Sequence, residues 1–334
     1  VYQFSHRDGR LLPRDELSMV FLKSKVGEIA TPFSEGTLKR KAHVVQVTQT
    51  PHHVAPFTDI AVVGDSAAVL REIRHRLAVE PAAVRRRETA IAEAKTATRQ
   101  IAGELPSSPM TANYFFTQLG KVVGSLIEDS GFTYTGVYEV GRCGISAVRN
   151  VPRTGPGFSG WYGRATMGDA YQAIPAIAMS RDRNVIGFIG DGAAMLGPDV
   201  LSGLVEHVTH RGRGPGGNVT LFFLWNGGHS LIMTYQEGRL GLRGGRQMEL
   251  MNLLPAAGDY RLGPLQIRRR RMAGFDEGAI RAALASTGEV NVFDVLLAHS
   301  NAGDGISLLD SASWQYGDLS PLSLRMAQQR REQR

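Results

Sequence analysis

Two short apolar runs, Val185-Ile186-Gly187-Phe188-Ile189 and Val219-Thr220-Leu221-Phe222-Phe223-Leu224, constrain this chain more than any other feature. The first ends in Gly190-Asp191-Gly192 and the second in Trp225-Asn226-Gly227-Gly228. Both are rich in β-branched and aromatic residues and stop at glycines. That pattern predicts strands buried on both faces of a parallel sheet. Between them, Pro198-Asp199 opens a helix with Leu201, Leu204, Val205 and Val208 on one face. The unit is strand–helix–strand, which crosses over right-handed. Ligands of such sheets bind outside the carboxyl ends of the strands. Asp191 and Asn226 therefore belong to one end of one sheet.

The chemistry of that end is specific. Gly190 and Gly192 let the backbone approach phosphate oxygens closely. The N–H groups of Gly192, Ala193 and Ala194 are candidates to face the anion. A carboxylate, an amide oxygen, a carbonyl and phosphate oxygens together suit magnesium or calcium. A lone Gly-Asp-Gly is also an ordinary turn. The second strand end, with its Asn-Gly-Gly, makes the pair a candidate site.

The pair resembles the diphosphate-binding motif of thiamine-diphosphate enzymes, Gly-Asp-Gly followed by Asn-Asn. Trp225 stands where the family has its first Asn, and the loop from Arg211 to Gly217 makes the spacing longer. The segment Ala165-Thr166-Met167-Gly168 is similar to a Gly-Thr-Met-Gly segment in the acetolactate synthase and 2-oxo acid decarboxylase branch. The stretch Thr133 to Gly144 resembles a strand entering the turn that contacts the diphosphate from the other side. The resemblance implies an α/β, doubly wound parallel sheet with flanking helices, preceded by part of a second α/β domain. It implies thiamine diphosphate and Mg2+ as cofactors. Asp191, Asn226 and the Gly228 carbonyl would hold the metal. Gly141, Arg142 and Cys143, with Gly190 to Ala194, would line the diphosphate. Met167 would prop the cofactor in its bent shape, and the Ala165 carbonyl would accept from its exocyclic amino group.

The implied reaction is C–C bond chemistry on a 2-oxo acid, either decarboxylation or acyloin carboligation. His229 is the candidate proton donor, and Arg164, Leu231 and Tyr235 are the candidate substrate contacts. The stretch His229 to Glu237 does not follow the acetolactate synthase pattern. The family's activating glutamate lies on a pyrimidine-binding domain that this sequence lacks, and Glu139 belongs to the diphosphate half. A partner chain in a homo- or hetero-oligomer, or a missing N-terminal segment, is therefore expected to bring it. The competing expectation is a subunit that binds the cofactor without catalysis, as a regulator or scaffold.

The layout expected is a partial middle domain over 1–85, a linker over 86–109, a cofactor domain over 110–310 and a tail over 311–334. The first part rests on the strands Ala42 to Val47 and Ile60 to Asp65, and on a helix capped by Asp65-Ser66 with Leu70, Ile73 and Leu77 on one face. The linker holds Arg85-Arg86-Arg87, which reads as a solvated helix face. The cofactor domain opens with Phe115, Phe116, Leu119, Val122, Val123 and Leu126 at helical spacing and closes with the strand Val290 to Leu297. A chain of 334 residues with 43% hydrophobic content can bury such a core. The half middle domain gives no support for FAD. One cysteine, Cys143, argues against iron–sulfur chemistry supplied by this chain. No run is long and apolar enough to span a membrane, and no signal-peptide pattern opens the chain, so a cytoplasmic place is expected. The net charge of +7 and the patch Arg268 to Arg271 come without a zinc-finger or RNP signature, which argues against nucleic acid.

Overall fold

The computed structural model describes residues 6–7, 10–11, 18–22, 43–56, 58–89, 92, 107–160, 166–180, 183–196, 200–229 and 256–298. The chain divides into two compact units, one within Val1–Arg99 and the other Gln100–Ile306.

In the first unit, β1 (His6–Arg7) and β2 (Arg10–Leu11) pair antiparallel. A three-stranded parallel sheet runs in the order β3 (Ser18–Leu22), β4 (His43–Thr48), β5 (Ile60–Val63). The loop between β4 and β5 is pinned by the buried Gln46, which accepts from the Ala55 amide at 2.9 Å and donates to the His53 carbonyl at 2.6 Å. Helix α1 (Ser66–Arg76) starts at Asp65, whose carboxylate accepts from the Ala68 amide. The residues of its apolar face, Leu70, Ile73 and Leu77, are 44–60% exposed. His52 and His53 sit on an exposed 3-10 turn. Residues 81–89 are helical and mostly exposed, including the three arginines.

The second unit is built on a seven-stranded sheet. Its strands are β6 (Tyr134–Tyr138), β7 (Phe158–Ser159), β8 (Asn184–Gly190), β9 (Val219–Trp225), β10 (Gly258–Leu262), β11 (Leu265–Met272) and β12 (Val290–Leu296). Their order across the sheet is β10-β11-β12-β9-β8-β6-β7, and only β10 runs antiparallel to its neighbour.

Helices cover both faces. On one, α2 (Ala112–Ser130), α3 (Arg142–Asn150) and α7 (Glu277–Ala285) bury Phe115, Phe116, Leu119, Ala147, Ile280 and Leu284. There Tyr138, Phe188, Phe222 and Phe293 stack rung by rung across four strands, with centroids 5.2–5.8 Å apart. Burying each such ring contributes about 2–3 kcal/mol. On the other face, α4 (Asp169–Ser180), α5 (Asp191–Leu196) and α6 (Val200–Arg211) bury Tyr171, Ile174, Ala193, Leu201 and Leu204. The crossover between β8 and β9 therefore holds two helical segments, where the sequence pattern predicts one.

The chain proceeds outward from β6 to β7, then returns to β8 on the opposite side of β6. This reversal puts the topological switch point at the carboxyl ends of β6 and β8, the place where such sheets bind ligands.

Arg268 to Arg271 lie on β11, where Arg270 and Arg271 are exposed and the other two are paired. Arg268 pairs with Glu289 at 2.7 Å, and the buried Arg269 pairs with Asp294 at 2.6 Å. Among the described residues, no helix is long and apolar enough to cross a membrane.

Candidate functional site

Four segments meet at the carboxyl ends of β6, β8 and β9. The first is the start of α3. Gly141 precedes it at φ +107°, a conformation open to glycine, so the expected turn is a helix N-terminus. Arg142 and Cys143 occupy its first turn, and both are buried. Burial pushes the Arg142 guanidinium down to about 10. Burial, with the neighbouring Glu139 and Asp191 carboxylates, pushes the Cys143 thiol up to about 12.

The second segment is the end of β8 and α5. Asp191 is 3% exposed. Its Oδ2 accepts from the amides of Asn226, Gly227 and Gly228 at 2.9–3.1 Å, and its Oδ1 accepts from Gly192 at 2.7 Å. Burial raises the carboxyl pKa, and the four amide bonds oppose that shift in part.

The third segment is the turn after β9. Asn226 Oδ1 accepts from the Gly228 amide, and Gly227 sits at φ +86°. The fourth is Met167-Gly168, ahead of α4, with Gly168 at φ +98°.

These segments touch one another closely. A Cβ on Gly192 would lie 2.5 Å from the His229 ring and 2.9 Å from Met167 Cε. Only glycine fits between them, so α5, the β9 turn and the Met167 segment meet at one point. A Cβ on Gly190 would lie 3.5 Å from Cys143 Sγ, which places α3 beside β8.

Gly141, Arg142, Cys143, Met167, Gly190 to Ala194, Asn226, Gly228 and His229 thus stand at one end of the sheet. Arg164, Ala165, Leu231 and Tyr235 lie outside the described residues. Trp225 is the departure from the family motif, and the structure gives it another task. It is buried, and its Nε1 donates to Asp294 Oδ1 at 2.9 Å. Asp294 also receives Arg269 through two hydrogen bonds, and the Arg269 guanidinium lies 5.6 Å from the centre of the Phe223 ring. Burial opposes the Arg269 charge, but the Asp294 carboxylate holds its pKa above the ordinary value.

Sequence reasoning missed this network and also the role of Glu139. Glu139 is fully buried beside the site. A lone acid in an apolar strand is the signal in both cases, because a buried charge requires partners.

The donor set suits a hard divalent cation shared with a phosphate. Asp191 Oδ1 carries one hydrogen bond and keeps acceptor capacity. Among the described residues no group of three or more His, Cys, Asp or Glu side chains gathers to hold a metal. A site with one carboxylate is what remains when the ligand supplies further oxygens.

The fold and this strand-end arrangement define a thiamine-diphosphate-binding α/β domain. The family described as Biosynthesis protein PigD C-terminal domain matches residues 103–299, and the one described as Biosynthesis protein PigD third domain matches residues 1–94. The chain belongs to the PigD family of thiamine-diphosphate-dependent enzymes. It is 42% identical over 315 residues to the thiamine diphosphate dependent-3-acetyloctanal synthase PigD of Serratia sp. (strain ATCC 39006), covering 94% of this chain and 36% of that protein. It is 43% identical over 307 residues to the protein of the same name from Serratia marcescens, covering 92% and 34%. The chain spans about a third of the length of these curated relatives.

Proposed function

We propose that this chain supplies the diphosphate and metal half of a thiamine-diphosphate site in a carbon–carbon bond-forming enzyme acting on a 2-oxo acid. The observation that carries the reading is the Asp191 carboxylate. It is buried, bound to the amides of Asn226 to Gly228, and adjacent to a glycine packed against both His229 and Met167. Asp191, Asn226 and the Gly228 carbonyl would hold Mg2+. Gly141, Arg142 and Cys143 would face the diphosphate from one side, and Gly190 to Ala194 from the other. Met167 would support the cofactor, with the Ala165 carbonyl beside it. Thiamine diphosphate, when bound, supplies an electron sink that stabilises a carbanion.

The chain's own residues do the rest. The buried strand ends keep water from the charged groups. The Arg142 guanidinium offsets anionic charge. His229, exposed and beside Gly192, would serve as the proton donor. Arg164, Leu231 and Tyr235 are the proposed substrate contacts. The name of the relatives, a synthase of 3-acetyloctanal, favours carboligation over decarboxylation alone. The activating glutamate would come from a pyrimidine-binding domain elsewhere in the protein or on a partner subunit. Residues 110–310 form the proposed cofactor domain, and residues 1–85 the partial middle domain.

The test is product analysis with the whole protein, thiamine diphosphate, Mg2+, pyruvate and a medium-chain aldehyde. The reading predicts carbon dioxide release coupled to an acetyl adduct of the aldehyde. Pyruvate left unconsumed under saturating cofactor would contradict it.

A further inference from the structure

Three pairs of segments around the proposed cradle are joined by residues already described. Cys143 meets Gly190, Asp191 binds the turn from Asn226 to Gly228, and Gly192 packs against His229 and Met167. The fourth junction, between the start of α3 and the start of α4, is made by Glu139. Its Oε1 accepts from the Val140 amide at 2.7 Å, just before Gly141. Its Oε2 accepts from the Tyr171 amide at 2.8 Å, in the first turn of α4, four residues beyond Met167. Amides of a first helical turn have no partner within the helix, and the helix dipole favours a carboxylate there.

The carboxylate is enclosed. Glu139 is 0% exposed, and a Cβ on Gly160 would lie 3.1 Å from Oε1. The Glu139 backbone is fixed independently, because its amide donates to the Phe188 carbonyl at 3.0 Å. Its carbonyl is approached so closely by α3 that a Cβ on Gly144 would lie 2.0 Å away. Tyr171 extends the tie, since its hydroxyl accepts from the Val200 amide at the start of α6.

We propose that Glu139 is a positioning residue that locks the Met167 wall of the cradle to its diphosphate wall. The inference rests on the thiamine-diphosphate reading above. Glutamate suits the task because two acceptor oxygens on one rigid carboxylate satisfy two amides 31 residues apart in sequence, Val140 and Tyr171. Glutamine keeps one acceptor and turns a donor towards the other amide, so it retains half the tie.

Equilibrium titration of the whole protein tests this with two probes, thiamine diphosphate plus Mg2+ and magnesium diphosphate alone. The second probe touches only the diphosphate wall. In Glu139→Ala, affinity for thiamine diphosphate is expected to fall about 10-fold or more, while affinity for magnesium diphosphate changes by less than about twofold. Glu139→Gln falls between wild type and Glu139→Ala. Gly160→Ala crowds Oε1 without removing the charge and shifts the same probe in the same direction, so the test survives poor folding of Glu139→Ala. Adding Met167→Ala to Glu139→Ala gives less than the sum of the single losses, because the wall is already released. Equal losses for both probes indicate general loosening and overturn the proposal. So do unchanged affinities, or fully additive effects with Met167→Ala. Failure of the wild type to bind either probe removes the site reading, and this inference with it.

Discussion

Two buried aspartates on the same sheet are neutralised in opposite ways. Asp294, inside β12, faces the Arg269 guanidinium at 2.6–2.7 Å and the Trp225 indole. Asp191, at the end of β8, is bound by four backbone amides and by no basic side chain among the described residues. The first charge is settled within the fold. The second is held by backbone amides alone, and burial raises its pKa. In the function proposed above, that carboxylate would receive a cation from outside. On the proposed reading, the difference separates a structural acid from a functional one.

The largest expected effect breaks the settled pair. Asp294→Ala leaves Arg269 buried without its partner, which costs about 3–5 kcal/mol in denaturant unfolding. A loss below about 1 kcal/mol would place that pair with ordinary surface ion pairs.

The next effect concerns Cys143, which lies in the first turn of α3 beside Gly190. A thiol raised to about 12 in the fold contributes stability below its unfolded value and loses it as pH rises towards 12. With an unfolded value of about 8.5, the loss reaches about 2 kcal/mol at pH 10. Cys143→Ala should flatten the alkaline limb of the stability profile, and the native thiol should resist alkylation at pH 8.

Asp191 carries a smaller expected cost than Asp294. Its raised pKa means that its contribution is present below the ordinary carboxylate value and is lost as pH rises through the folded value. Without cofactor, Asp191→Asn is therefore expected to cost no more than about 1 kcal/mol at pH 7, and relatively more at acid pH. A loss matching that of Asp294→Ala would erase the distinction.

The smallest effect is Arg268→Ala. Its pair with Glu289 is partly exposed, at 41% and 23%, and should be worth no more than about 0.5 kcal/mol.

The strands around the site were legible because they are unbroken apolar runs. Val185 to Ile189, Val219 to Leu224 and Val290 to Leu297 fall on β8, β9 and β12 with ends shifted by one residue. Strand β11 was not legible, because Arg268 to Arg271 reads as a dense basic patch. Its signal was the alternation Leu265, Ile267, Arg269, all buried, combined with the lone acid Asp294 on the neighbouring strand. Glu139 was dismissed because the family places its activating glutamate elsewhere. Its position at a buried strand end implied partners, but the amide of Tyr171, 32 residues away, becomes visible only in three dimensions. The face of α1 shows a related limit. Periodicity shows that Leu70, Ile73 and Leu77 share a face, but not what covers it.

The central claim is that Asp191 is the anion around which metal and diphosphate assemble. Calorimetric titration of thiamine diphosphate with Mg2+ into wild type and Asp191→Ala, repeated with EDTA in place of Mg2+, tests it most directly. The account predicts saturable binding to wild type that is weakened about 100-fold or more by Asp191→Ala, and to a similar degree by EDTA. Equal affinity in wild type and Asp191→Ala would contradict it.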